Sequence, residues 1–173
     1  FNISNKIAGT TSAAYAFYVG GHDFHAENLT FENSHKYEKG GQGQQAVAVL
    51  SEADRLIFKN CKFLGWQDTL YAKNGRQYFE NCYIEGNVDF IFGQAAAVFE
   101  KCVIHSKGDG YITAPMRFDD SSSTASATLA SPAMEMTPPS GLDFRIWLTS
   151  IGYSSRPCPC KGPARARLCQ AID

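Results

Sequence analysis

"QYFENCYIEG", residues 77–86, decides the fold. An aromatic residue, Phe79, is followed by a charged residue, a polar one and Cys82, and then by an alternating tail. The same order recurs in "LIFKNCKFLG" at 56–65 and "AVFEKCVIHS" at 97–106, with a shorter relative, "LTFENS", at 29–34. The matching phenylalanines, Phe31, Phe58, Phe79 and Phe99, follow one another at intervals of 27, 21 and 20, and Cys61, Cys82 and Cys102 at intervals of 21 and 20. Alternation inside each unit has period 2, so the units are strands rather than helices. A repeat of about 20 residues made of short strands marks a solenoid. The expectation is therefore an all-β chain wound as a parallel β-helix; a leucine-rich repeat would need a leucine spacing that is absent. Coils stack about 4.8 Å apart, so equivalent residues form ladders. Free cysteine packs as a small hydrophobe, so the three regularly spaced cysteines are expected in the core. A metal role would need closer spacing, such as two cysteines with only two positions between them, and no metal is expected.

Two carboxylates stand out against this frame. "GNVDFIFG", 86–93, reads as a strand bounded by glycines, yet Asp89 sits in its middle. A charge in apolar company must be paired, kept at a surface or used. A turn is the plainer alternative for an aspartate, but Val88 before it and Phe90-Ile91-Phe92 after it are poor turn chemistry. Asp68, in "GWQDTLY", precedes Asp89 by one coil period, the same step that separates Cys61 from Cys82. Adjacent coils would bring the two together, and two close carboxylates cannot both ionise freely, so one holds its proton at higher pH. An ionised carboxylate beside a protonated one suits a nucleophile with a general acid. Gln67 precedes Asp68, and Gln45 stands a further coil step back, at the head of "QAVAVL", in the same column. Amide N–H groups there could stabilise an oxyanion. The chain has no G-x-S-x-G elbow, H-E-x-x-H motif or phosphate-binding loop. Polar residues lined up along neighbouring coils form a shallow groove, which suits an extended polymer.

The bulk numbers narrow the field. The 173 residues suffice for one core. A net charge of −1 gives no electrostatic reason to bind nucleic acid or anionic lipid. No apolar run is long enough for a membrane helix. The sequons Asn2-Ile3-Ser4 and Asn28-Leu29-Thr30 lend slight support to secretion. The chain opens at Phe1 and reads as a mature chain or a fragment.

"GQQAVAV", "GWQDTLY" and "IEGNVDFIFG", in this order and spacing, resemble the signature blocks of the pectin methylesterases, or pectinesterases. The resemblance runs from about Tyr15 to Asp120 and includes "FYVGGHDFHAENLTFENS" and "GDGYITAPMRFDD". It implies a right-handed parallel β-helix that demethylates homogalacturonan without a cofactor, a monomer acting outside the cell on the cell wall. It further implies that Asp89 is the nucleophile and Asp68 the general acid, then base. Gln45 and Gln67 would hold the oxyanion, and Tyr71 and Phe92 would contact the sugar chain. The family also supplies an arginine from a Gly-Arg-Pro-Trp block that this chain lacks; the nearest counterpart is Arg156 in "SSRPCPC". The organisation expected is a β-helix over residues 1–120, incomplete at both ends, and a Ser/Pro/Cys-rich segment, 121–173, that reads as linker or disorder. An active esterase is the leading reading. An inactive fragment that at most binds pectin is the alternative, kept open by the missing arginine block. A different β-helix carbohydrate hydrolase using two aspartates fits the motifs less well.

Overall fold

Short strands, none long enough to span a large sheet, are joined by sharp corners so that each circuit of chain returns above its start. The computed structural model describes residues 1–115 and the strand residues 127–130, 144–148 and 150–153. After a single helical turn, Asn5–Ala8, the first coil holds β1 (Tyr15–Val19), β2 (His25–Glu27) and β3 (Thr30–Glu32). The second holds β4 (Val47–Ser51), β5 (Leu56–Lys59) and β6 (Lys62–Leu64). The third holds β7 (Leu70–Ala72), β8 (Arg76–Glu80) and β9 (Tyr83–Gly86), and the fourth β10 (Ile91–Gly93), β11 (Ala96–Glu100) and β12 (Cys102–Ser106), followed by β13 (Thr113–Pro115). Strands at the same place in successive coils pair in parallel, giving the three sheets β1-β4-β7-β10-β13, β2-β5-β8-β11 and β3-β6-β9-β12. The architecture is the expected right-handed parallel β-helix.

Register gives the coil lengths. Tyr15 faces Val47, His25 faces Ile57 and Thr30 faces Lys62, the same offset in all three sheets. Later coils are shorter: Leu56 faces Gln77, Arg76 faces Ala96 and Ile91 faces Thr113. The first coil is longer because the segment 33–46 loops out between β3 and β4. This corrects one alignment. Phe31 faces Phe63 in the third sheet, not Phe58, whose partner in the first coil is Ala26. The ladder of Phe58, Phe79 and Phe99 is as expected: the rings lie nearly parallel, with centroids 5.0 and 4.6 Å apart, and all three are fully buried. Each such ring contributes roughly 1.5–3 kcal/mol by leaving water, and each stacked pair about 0.5–1.5 kcal/mol more.

The corner between the second and third sheets shows how sequence makes the turn. Asn28, Asn60, Asn81 and Lys101 occupy it with φ of 59°, 52°, 53° and 54°. Asparagine enters this left-handed region more readily than other residues with a side chain. The N–H groups of Asn28, Asn60 and Asn81 donate to the carbonyls of Lys59, Glu80 and Glu100 in the next coil, at 3.0, 2.9 and 2.9 Å. The cysteines come next in sequence. Their thiols point back into the core and donate to carbonyls of the preceding coil: Cys61 to Ala26, Cys82 to Phe58 and Cys102 to Phe79, at 3.7, 3.4 and 3.4 Å. All three are free and buried, as expected of core residues.

Beyond residue 115 the winding pattern is not repeated in the described strands. β14 (Ala127–Ala130) pairs antiparallel with β16 (Ser150–Tyr153), and β15 (Phe144–Leu148) pairs antiparallel with β12. The segment expected from composition to be linker or disorder thus contains three strands. Arg156 and the cysteines at 158, 160 and 169 lie outside the described residues.

Candidate active site

The stretch 86–93 is not one strand, as its apolar content suggested. β9 ends at Gly86, β10 begins at Ile91, and the segment 87–90 turns the corner between the third and first sheets. Asp89 lies in that turn with φ of 49°, and Asp68 occupies the same place one coil earlier with φ of 65°. Phe90 and Ile91 are fully buried core residues, so the apolar run belongs to the core on the far side of the corner. The corner is tight. A Cβ at Gly86 would lie 2.2 Å from Phe90 Cβ and 2.6 Å from the Trp66 carbonyl, which only glycine avoids.

Backbone hydrogen bonds stack the two corners. Gln67 bridges in parallel to Val88. The Asp68 N–H donates to the Val88 carbonyl at 3.1 Å, and the Asn87 N–H donates to the Trp66 carbonyl at 2.8 Å. The Asp89 N–H donates in turn to the Tyr111 carbonyl at 2.6 Å. Asp68 and Asp89 therefore occupy equivalent places on successive coils. They are not equally covered: Asp68 is 8 % exposed, whereas Asp89 is half-buried. Burial, with the charge of Asp89 second, pushes the Asp68 carboxyl up to about 7. Burial alone raises Asp89. Asp68, the more covered of the two, is the harder to ionise. Among the described residues no hydrogen bond or cationic side chain meets either carboxyl group.

Gln45 comes just before β4, with its side-chain Oε1 accepting from Asn5 Nδ2 at 3.2 Å. That contact assigns the carbonyl end of the amide to Asn5 and leaves the NH2 as its donor end. The next residue, Ala46, donates its N–H to the Gln67 carbonyl at 3.0 Å, so Gln45 and Gln67 sit at neighbouring corners. The Gln67 side chain makes no hydrogen bond among the described residues. Leu50, Tyr71, Phe92 and Ala114 face one another along the first sheet. Tyr71 and Phe92 stack with centroids 4.2 Å apart, in an apolar cluster with Val47 and Leu50 that is separate from the core. Both are nearly buried, at 4 % and 6 % exposure.

Two features at these corners carried no sequence signal that assigned them. Trp66, next to Gln67, lies under the ammonium of Lys107, 4.0 Å from the ring centroid. Lys107 is far from "GWQDTLY" in sequence and becomes its neighbour only through the winding. Asn87 is buried, and its Oδ1 has no hydrogen-bond partner among the described residues.

Known proteins resemble the chain over the segment that holds these corners. A family model described as "Pectinesterase" matches residues 2–136. The chain is 51 % identical over 122 residues to a protein named pectinesterase 31 from Arabidopsis thaliana, a match covering 70 % of this chain and 37 % of that one. It is 49 % identical over 115 residues to a probable pectinesterase A from Neosartorya fischeri, covering 66 % of this chain and 34 % of that one. Among solved structures, a deglycosylated pectin methylesterase from Aspergillus niger superposes with a TM-score of 0.62 at 45 % identity, over 67 % of this chain and 37 % of that one. A carrot pectin methylesterase gives 0.56 at 40 % identity, over 65 % and 35 %. A pectin methylesterase solved in complex with a hexasaccharide also gives 0.56, at 34 % identity, over 61 % and 37 %. The chain spans only a little over a third of the length of these relatives.

Proposed function

Because the chain belongs to the pectinesterase family, we propose that it hydrolyses the methyl esters of homogalacturonan, yielding pectate and methanol. The observation that carries the reading is a pair of carboxyls at equivalent corners of successive coils, Asp68 almost fully covered and Asp89 half-buried, so that Asp68 is the harder of the two to ionise. In the proposed reaction the Asp89 carboxylate attacks the ester carbonyl carbon. The negative charge that develops on the carbonyl oxygen is met by the side-chain NH2 groups of Gln45 and Gln67. As the C–O bond to the methoxy group breaks, Asp68 gives its proton to the leaving oxygen and methanol departs. An anhydride between Asp89 and the galacturonate remains. Asp68, now a carboxylate, takes a proton from water as the water attacks the galacturonyl carbon. The Asp89 carboxylate is released and Asp68 is again protonated, so the proton balance closes over one cycle.

A carboxylate is a weak nucleophile in water, and partial burial removes part of its solvation. The corner supplies that burial for Asp89. Tyr71 and Phe92, each three residues past one of the acids, stack in an apolar cluster on the first sheet, and the methylated polymer is proposed to lie across it. Action on cell-wall pectin places the reading outside the cell; no helix among the described residues is long and apolar enough to cross a membrane. The hexasaccharide bound in a related structure supports an oligosaccharide as ligand.

The test is methanol release from highly methylated pectin by the purified chain, with Asp89→Asn as the control. Release well above that control supports the reading; release equal to it rejects catalysis. A second reading, a chain that binds methylated pectin without turning it over, is kept open by the lack of a Gly-Arg-Pro-Trp block in the sequence. Binding of methylated oligogalacturonides without methanol release would support it.

A further inference from the structure

Lys107 touches both coils that carry the acids. Its backbone N–H donates to the carbonyl of Gly86, at the start of the Asp89 corner, at 2.7 Å. Its ammonium donates to Glu85 Oε1, on the same coil, at 2.8 Å. The same ammonium sits 4.0 Å from the ring centroid of Trp66, which shares the preceding corner with Asp68. Glu85 is fixed in turn, because the Tyr83 hydroxyl donates to its Oε2 at 3.0 Å. The Lys107 and Glu85 side chains are only 17 % and 20 % exposed, so this is a covered contact rather than a solvated surface pair. A cation over an indole face is held more strongly when water is kept from it, as it is here.

We infer that Lys107 is a positioning residue that straps the Asp68 corner to the Asp89 corner through Trp66 and Glu85, and so sets the spacing of the acid pair. The inference rests on the reading of that pair given above. Both corners are backbone positions that need holding. Asp68 and Asp89 each adopt a left-handed φ that disfavours a residue with a Cβ, and like groups on adjacent coils repel as they ionise. The backbone bonds between the corners fix the main chain. The Lys107 contacts are side-chain links that tie Trp66, and with it Gln67 and Asp68, to the coil above. The contacts of the Lys107 ammonium are with Glu85 and the Trp66 ring. Its effect passes through the indole.

The test reads the pair directly and needs no turnover. The side-chain carboxyl carbons of Asp68 and Asp89 are followed by NMR across pH in the full chain, in wild type, Lys107→Met and Lys107→Arg. Loosening the strap admits water to Asp68 and moves Asp89 away, and both changes act in the same direction. Lys107→Met is expected to lower the Asp68 midpoint by about one pH unit or more, and Lys107→Arg, which keeps a cation over the ring, to restore it. If Lys107→Met does not fold, Glu85→Gln, which weakens the anchor but leaves the cation, is expected to give a smaller shift of the same sign. An Asp68 midpoint unmoved in a folded Lys107→Met or Glu85→Gln chain overturns the strap while leaving the acid pair intact. An Asp68 that titrates as an ordinary carboxyl in wild type removes the acid pair, and the strap with it.

Discussion

Replacing Asp68 with asparagine should make the chain more stable in alkaline solution and leave its stability in acid almost unchanged. The Asp68 carboxyl has an ordinary value of 3.8 and rises to about 7 in the folded chain. Below 3.8 both folded and unfolded chains hold the proton. Between 3.8 and about 7 the unfolded chain gives it up while the folded chain keeps it, so stability falls as pH rises. Above about 7 both are ionised and the loss is complete. At about 1.4 kcal/mol per pH unit, the whole span costs about 4 kcal/mol. Asp68 is only 8 % exposed, so little of this is screened by solvent. Asparagine has nearly the same shape and cannot ionise, so Asp68→Asn escapes the loss. With a urea slope of about 2 kcal/mol per molar, its unfolding midpoint should exceed that of wild type by about 2 M at pH 8.5. At pH 4 the two should nearly coincide. The assay is urea unfolding followed by tryptophan fluorescence at both pH values. A gap between the proteins that stays constant with pH would refute the claim that a buried, late-ionising Asp68 lies at this corner.

Other perturbations test other parts of the winding. Phe79→Ala removes the middle ring of the stacked ladder and should cost about 3–5 kcal/mol in urea unfolding. Asn81→Ala loses a left-handed corner residue and the hydrogen bond from Asn81 Nδ2 to Asn60 Oδ1, at 2.6 Å, and should cost about 2 kcal/mol. Asn81→Gly should recover the backbone share of that loss, and equal losses in the two variants would argue against the corner strain. Cys61, Cys82 and Cys102 are buried, and burial pushes the Cys61 thiol up. Peptide mapping after brief alkylation at pH 8 should find these three unmodified in the native chain and modified in urea.

What the sequence showed depended on what repeats. Cys61, Cys82 and Cys102 sit at one corner of every later coil, and the intervals between them are the coil length itself. Phe58, Phe79 and Phe99 reported the same period and the same ladder. Phe31 misled because an apolar–charged pattern looks alike in the second and third sheets. The loop at 33–46 had lengthened the first coil, so the step from Phe31 to Phe58 crosses from the third sheet to the second, whereas the full circuit ends at Phe63. Asp89 misled for a related reason. In a solenoid with short corners, turn residues lie close in sequence to core strand positions, and Val88, Phe90 and Ile91 read as one strand although the first two belong to the corner at 87–90. The signal that could have marked the corner was the residue type. Asp68 and Asp89, like Asn28, Asn60 and Asn81, are the short polar side chains that accept a left-handed backbone. The Lys107–Trp66 contact had no such signal, because it joins positions that repeat in space but not in residue type.

The same geometry explains why one residue type at one repeated position can take two roles. Winding by translation places Asp68 and Asp89 in equivalent backbone settings, with left-handed φ and an N–H bound to the coil above. If the settings were the same in every respect, the two carboxyls would share one proton with no preference. Burial breaks the tie. Asp68 is almost fully covered and Asp89 only half so, and the more covered group is harder to ionise. Once Asp89 is charged, its field adds to the burial of Asp68 and widens the gap. The division into an ionised acid and a protonated one then needs no difference in residue type, only a step along the solenoid axis from a covered corner to a more open one. It follows that a variant which uncovers Asp68 without touching Asp89 should narrow the gap between the two titrations, and one which covers Asp89 should narrow it from the other side.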